Sequence, residues 1–587
     1  MEATTSTNMF NSKVLGHPSG LFVLFFTEMW ERFSFYGMRI LLIQYLTGAV
    51  LSGNPGLGWT LPAATALYGT YAMMLYLTPV FGGIIADKFL GTRKAVIIGA
   101  AIMTLGHASM AIESDAFFFL GLACLVVGTG FFKPNMPAIL GEMYKSLPEK
   151  KDGAYTIFYM GVNAGAFFGM MLCGYFAETY GWHIGFGLAG IFMLLGTLQF
   201  VLAKPLFGKI GELDKEKLEL EKQKSLDNAE ASDEERRNPF TRTDIILSII
   251  VSILGLLYAF NDPLSKNGVY DMFEFMDTKY LRGQNIMIIF TLLLFLYLII
   301  SRIMRYGRIV RDRMFGIILM AFFLIFFFMS FEQGATSLVV VARDYVDRDL
   351  SGNGLTIFNI INTLFTIIPL LIISWVLVRL ALATWKKIQW SNIILFVCFA
   401  LIWGAAIMML KTEFEKETSE ITVSWFSTLN SFFIIALASV VSKIWDSKYN
   451  PSAAFKYGFG LLLVAAGFFV AGIGSDNVGD GVKISIVWII LTYLFHTLGE
   501  LFISPVGLSY VSKLVPIRML AFMYGIWYLA IAIAQKLAAT VGGQMEVIKA
   551  EYSLSGFFYL FTIIPAAAGL LVIILNPLIK KLMHGVR

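Results

Sequence analysis

Between residues 28 and 39, inside an otherwise apolar stretch, the chain carries Glu28, Glu31, Arg32, Tyr36 and Arg39. At about 100° per residue, Glu28, Arg32, Tyr36 and Arg39 share one face of a helix, and Glu31 lies alongside. Carboxylates beside a guanidinium can trade an ion pair for a proton. An acid next to Arg32 stays ionised while paired; drawn apart from it and desolvated, it favours its protonated form. A carboxylate on a bound solute would compete for the same guanidinium and so link occupancy to protonation. That is the minimum chemistry for moving a solute together with a proton. Three more lone charges, Lys133, Glu332 and Glu500, stand in apolar stretches. Ionisable groups at mid-membrane depth cost about 2.5–3.5 kcal/mol each on insertion scales, so they require partners or a polar cavity.

The elements that must position these groups follow from composition. Of 587 residues 57% are hydrophobic and only 14% charged, against about 25% charged in soluble domains. Apolar runs of about 20 residues recur from end to end, which implies an all-α polytopic membrane protein and excludes soluble domains or a β-barrel. Sixteen spans are expected, with fourteen as the alternative. Cys124, Cys173 and Cys398 all lie in apolar runs, so neither a disulfide framework nor a metal cluster is indicated. The five histidines show no metal spacing, and no P-loop or nucleophile–base motif is present. An enzyme, a resident cofactor and nucleic-acid binding are therefore not expected. The polar start does not read as a cleavable signal peptide.

Alternate loops are rich in Lys and Arg, for example Arg302, Arg305, Arg308, Arg311 and Arg313, whereas the intervening ones are basic-free, mixed or acidic. Both termini are thus expected in the cytoplasm. This orientation puts Arg39 and Glu332 in the outer half of the membrane, and Lys133 and Glu500 in the inner half. Each level offers one cation from the N-terminal half and one anion from the C-terminal half. Two gate pairs are expected, Arg39–Glu332 and Lys133–Glu500, each forming when its side closes. The alternative is a set of fixed ion pairs.

Six spans precede a charged segment at 205–241, read as a solvated linker helix, and Gly83, Asp87, Lys88, Gly91, Arg93 and Lys94 follow the second span. Both features resemble the two-bundle major facilitator superfamily. The run Glu28-Met29-Trp30-Glu31-Arg32-Phe33-Ser34-Phe35-Tyr36-Gly37 closely resembles the ExxER[FY]xYYG motif of its proton-dependent oligopeptide transporters, the POT/PTR family. Phe132-Lys133-Pro134-Asn135, the stretch Phe158 to Ala166, Phe331-Glu332-Gln333 and the stretch Gly499 to Ser509 are similar to further family segments. The resemblance implies uptake of di- and tripeptides with protons as coupling ion. It implies proton coupling by Glu28, Glu31 and Arg32, with Lys133 and Glu332. Arg32, Arg39 and Lys133 would meet the peptide carboxylate, and Asn163, Asn430 and Glu500 its amino end. Tyr36, Tyr76 and Trp527 would line side-chain pockets.

Two positions depart from the family pattern: Phe35 replaces the first motif tyrosine, and Phe328 stands where Trp is frequent. A larger departure is roughly 352–421, which reads as an inserted hairpin turning at Trp385-Lys386-Lys387. The expected organisation is a six-helix bundle at 1–204, the linker at 205–241, and an extra hairpin with a basic loop at 242–313. The first helix of the second bundle then lies at 314–350, the inserted hairpin at 351–422, and five more helices at 423–587. A bacterial inner membrane is favoured. Rival readings are a related carrier for another zwitterion or anion, such as a drug, nitrate or an amino-acid conjugate, and a non-transporting membrane sensor.

Overall fold

The computed structural model describes residues 12–51, 53–213, 240–445, 451–479, 481–514 and 520–585. Most of the 205–241 linker, together with Lys448 and Arg518 of the basic loops, lies outside these residues. The first half of the chain forms α1 (Gly20–Thr47), α2 (Leu61–Ile85), α3 (Thr92–Met110), α4 (Asp115–Phe132), α5 (Asn135–Met143), α6 (Lys151–Tyr180) and α7 (Trp182–Leu202). An extra pair, α8 (Arg242–Lys266) and α9 (Gly283–Ile303), follows. The remainder is α10 (Arg308–Phe331), α11 (Ser337–Asp344), α12 (Gly352–Phe414), α13 (Val423–Trp445), α14 (Ala453–Ser475), α15 (Ile486–Leu514), α16 (Leu520–Gly542) and α17 (Leu554–Ile574).

Among the described residues, thirteen helices are long and apolar enough to cross a membrane, against the sixteen spans expected. Helix α12 carries two apolar arms in one continuous run, whereas the charges of α1 and Arg93 and Lys94 of α3 make those two helices less apolar than the thirteen. Two expected spans are also broken. The run at 116–143 divides into α4 and α5 at Lys133-Pro134, because proline has no N–H to continue the ladder. The run at 314–338 divides at Glu332, which opens a short 3-10 turn, Glu332–Ala335, between α10 and α11. Both breaks carry a charge.

Helix α1 is the axis of the first half, wedged against α6 and α7. Small residues on α6 allow the approach, since van der Waals packing at close range drives helix association in lipid. A Cβ on Gly165 would stand 2.1 Å from the Met29 carbonyl oxygen and 2.9 Å from Arg32 Cβ. One on Gly169 would stand 2.2 Å from the Phe33 carbonyl oxygen.

The two halves meet along two seams, α2 with α16 and α6 with α13. At the second seam Glu178 of α6 accepts the backbone N–H groups of Val423 (2.9 Å) and Ser424 (3.2 Å), which satisfies orphan donors at the start of α13. Each seam is flanked by an extra hairpin. Helix α8 lies on α2, where Thr70 Oγ1 donates to the Ala259 carbonyl at 2.7 Å.

Helix α12 folds back at Ile388 (φ −136°, ψ 46°), directly after Lys386 and Lys387. Its arms are tied by Trp403 Nε1 to Ser374 Oγ (3.0 Å) and Asn359 Nδ2 to the Glu413 carbonyl (3.1 Å). The open end is pinned by an antiparallel pair, Asp349–Ser351 with Thr418–Glu420. This hairpin leans on both halves. Phe399 sits edge-on to Trp30 and Phe26, Ser391 donates to the Gln199 carbonyl at 2.9 Å, and Phe365 stacks on Phe432 of α13 at 4.0 Å between centroids.

Replacing Gly165 or Gly169 by valine is expected to destabilise the protein by about 1–3 kcal/mol, the usual cost of overpacking. The thermal unfolding temperature of the detergent-solubilised protein checks this. Wild-type values for both variants would show that α1 and α6 are not in contact along this stripe.

Candidate functional site

The helical period of α1 turns Arg32, Tyr36 and Arg39 to the middle of the molecule. They line a cavity of about 680 Å³ between the halves, inside the range of about 300–1,000 Å³ usual for small-molecule sites. Tyr76 from α2, Lys133 at the α4–α5 break, Asn163 from α6, Glu332, Asn430 from α13 and Glu500 from α15 complete the charged and polar wall. Aromatic rings, among them Phe35, Phe328, Phe331 and Tyr493, form much of the remainder.

Behind the wall, Glu28 is 3% and Glu31 0% exposed, and neither lines the cavity. Arg32 Nε lies 2.8 Å from Glu28 Oε1 and 3.0 Å from Glu31 Oε2. One guanidinium thus faces two buried carboxylates while its outer side looks into the cavity, 5.7 Å from the centroid of Phe35. With both acids ionised the trio carries one negative charge too many. Among the described residues Glu28 Oε2 and both Glu31 oxygens accept no hydrogen bond, Glu31 Oε2 meeting Arg32 by charge alone, which leaves room in the cluster for a proton.

Arg39 and Glu332 meet across the two halves in a buried ion pair. Tyr68 Oη receives Arg39 Nε at 2.6 Å, and Gln535 Nε2 donates to Glu332 Oε1 at 2.7 Å, so both ends of the pair are held from behind. The second expected pair is not made. Lys133 Nζ sits 4.0 Å above the ring of Tyr76, and Glu500 accepts from Asn430 Nδ2 at 3.0 Å. Among the described residues neither Lys133 nor Glu500 belongs to an ion pair. The cavity therefore presents a cation and an anion from opposite halves, each satisfied only by neutral groups.

Trp527, expected in a side-chain pocket, does not reach the cavity. It is 4% exposed and packs between α15 and α16, where Gly507 leaves room: a Cβ there would stand 2.1 Å from Trp527 Cζ2. The sequence reading passed over Gln535, Tyr68 and Tyr493. It also passed over Lys536, a lone ionisable residue in an apolar span and hence the same signal that exposed Lys133. No group of three His, Cys, Asp or Glu among the described residues is arranged to hold a metal.

Known proteins share this architecture over its full length. The chain is 29% identical to the peptide transporter YePEPT of Yersinia enterocolitica, over 99% of this chain and 98% of that one. It is 27% identical to a di-/tripeptide transporter of Lactococcus lactis subsp. cremoris, over 97% and 98%. A crystal structure of the peptide transporter POT in complex with sulfate superposes with a TM-score of 0.71 at 27% identity, covering 99% of both chains. Another, of a POT variant in complex with alafosfalin, gives 0.69 at 26% identity, again over 99% of both. The family profile described as the POT family matches residues 93–412 and 390–556. With most of its length inside that profile, this multi-pass membrane protein belongs to the POT family of transporters.

Proposed function

We propose that the protein is a secondary transporter that imports di- and tripeptides by proton symport through alternating access. The observation that carries this reading is the unpaired Lys133 and Glu500 facing one cavity. A zwitterion with charges at its two ends is the solute that satisfies both. Relatives named as peptide transporters over nearly the whole chain support the same cargo.

In the proposed cycle Arg32 and Lys133 take the peptide carboxylate, and Glu500 with Asn430 takes the amino end. Tyr36, Tyr76 and Asn163 border the peptide between them. As the peptide carboxylate draws on Arg32, the Glu28/Glu31 cluster loses part of its counter-charge, and one carboxylate oxygen takes a proton from the outer solution. Return of Arg32 to the cluster after peptide release expels that proton on the inner side. The Arg39–Glu332 pair closes the outer side here; when the inner side closes, Lys133 and Glu500 come together instead. The moving units are the bundle at 1–204 and the bundle of 314–350 with 423–587. Protons serve as the coupling ion, with no resident cofactor. Both termini face the cytoplasm of a bacterial inner membrane, a reading supported by the basic loops.

Uptake of labelled dialanine into proteoliposomes tests the assignment. Accumulation is expected with an inward proton gradient and is expected to collapse with a protonophore. Glu28→Gln or Glu31→Gln should abolish uphill uptake while leaving part of the counterflow; normal accumulation in both would overturn the coupling role. Lys133→Ala and Glu500→Ala each remove a charge-assisted contact worth about 1.5–3 kcal/mol, so kcat/KM should fall at least about tenfold.

The Arg39–Glu332 pair has its own test in thermal unfolding. Arg39→Ala or Glu332→Ala leaves a buried charge without its partner and should cost about 3–5 kcal/mol. The double variant should recover much of that loss. Additive losses would show that the two groups are not coupled.

A further inference from the structure

A second ion pair crosses the α2–α16 seam, at the residue next to Gln535, and the peptide site does not use it. Lys536 of α16 is 5% exposed and Asp262 of α8 is 1% exposed. Lys536 Nζ lies 2.6 Å from Asp262 Oδ2, 2.8 Å from Thr70 Oγ1 and 3.0 Å from the Ala66 carbonyl oxygen. An ammonium has three donors and no acceptor, and here it faces three oxygens. Two of them belong to α2 in the first half and one to the extra hairpin, while the lysine belongs to the second half.

The hairpin is bound to α2 rather than to α16. Helix α8 packs along α2, and Thr70 Oγ1 donates to Ala259, one turn before Asp262. All three oxygens around Lys536 therefore sit on one body and the lysine on another. The seam between them is closed tightly: a Cβ on Gly69 would stand 2.5 Å from Ala539 Cβ and 3.3 Å from Lys536 Cδ. Any motion that draws α2 from α16 must take Lys536 away from its carboxylate and both neutral oxygens at once. The same motion loads the Arg39–Glu332 pair, since Gln535 holds Glu332 from the adjacent position.

We propose that Asp262 and Lys536 are gating residues of the transport cycle: the extra hairpin supplies, through Asp262, an anion that latches α16 to α2 and sets the population of the state closed on the Arg39–Glu332 side. This rests on the alternating-access reading but not on the cargo. Lys266 also pairs with Asp262, at 3.1 Å, yet both lie on α8 and their contact crosses no seam.

That difference supplies the control. Leu51 and Tyr552 are exposed at this end, one in each half. Spin labels on cysteines at these positions, with Cys124, Cys173 and Cys398 replaced by alanine, report the separation by pulsed electron resonance in lipid without substrate. Lys536→Met, Asp262→Asn and the double variant should each raise the ratio of long to short distances at least about fivefold, the lower end of usual coupling between sites. Lys266→Met should leave it unchanged. If a single variant fails to fold, the double variant, which removes both charges of the seam pair and leaves only Lys266 of α8 without Asp262, supplies the reading. An unchanged distribution in the folded variants would make the pair a fixed tie and overturn the proposal, as would an equal shift with Lys266→Met. Dialanine uptake by the same unsubstituted protein separates this outcome from a wrong cargo, because the distance measurement requires no peptide.

Discussion

A guanidinium in a water-poor interior requires an anion, and the anion of Arg39 comes from the other half of the chain. Removing water raises the cost of an unpaired charge by several kcal/mol, so the pair cannot be parted cheaply. In the proposed cycle, closing one side of the cavity and satisfying Arg39 are thereby the same event. The geometry on both sides of the pair is fixed from behind, by Tyr68 on Arg39 and by Gln535 on Glu332. Glu332 is also placed by a backbone break, as is Lys133. Interrupted helices are tolerated at membrane depth where they are buried in protein or line a cavity, and here each interruption delivers a charge to one.

Around this core the extra hairpins occupy equivalent places on opposite flanks. One lies on α2 beside the α2–α16 seam, the other against α1, α7 and α13 beside the α6–α13 seam. Their contacts differ in kind. The first hairpin reaches across with a buried carboxylate, which is directional and lost abruptly when distance grows. The second reaches α13 mainly with aromatic faces, Phe365 on Phe432 and Phe358 on Trp425, with one hydrogen bond from Trp425 to Asn362. Burial of apolar rings is non-directional, so that flank tolerates small displacements that would part the Lys536–Asp262 pair.

How far the sequence could be read depended on which interaction decided each feature. The Glu28–Arg39 face was legible because a helical period and the cost of charge in an apolar run are local facts. The same cost singled out Lys133, Glu332 and Glu500, all of which line the cavity. Neither break was foreseen: Pro134 stands beside Lys133 in a run that reads as one continuous span, and no proline marks the break at Glu332, where Gln333 donates to the Ala538 carbonyl and Tyr493 to the Gly334 carbonyl. The turn of α12 follows Lys386 and Lys387, as a basic turn suggested. Trp527 was misplaced because the face of α16 that meets the cavity depends on its fit against Gly507, a relation between distant helices. Asp262 closes an apolar run and reads as a loop residue until α16 is seen beside it.

The unpaired charges in the cavity are the remaining energetic anomaly. Lys133 over the Tyr76 ring and Glu500 beside the Asn430 amide are each held by a weaker partner than an opposite charge would be. A protein selected for stability alone would bring them together or replace both by apolar residues, which is frequently stabilising. Keeping them apart leaves attraction in reserve for a solute that carries both charges. In the proposed cycle it also makes the empty cavity the less stable arrangement on this side, so the two residues assigned to a zwitterion favour closure once it has gone. On that proposal recognition and return of the empty carrier draw on one electrostatic source, which requires the mutual attraction of Lys133 and Glu500 to stay weaker than their combined attraction for the cargo.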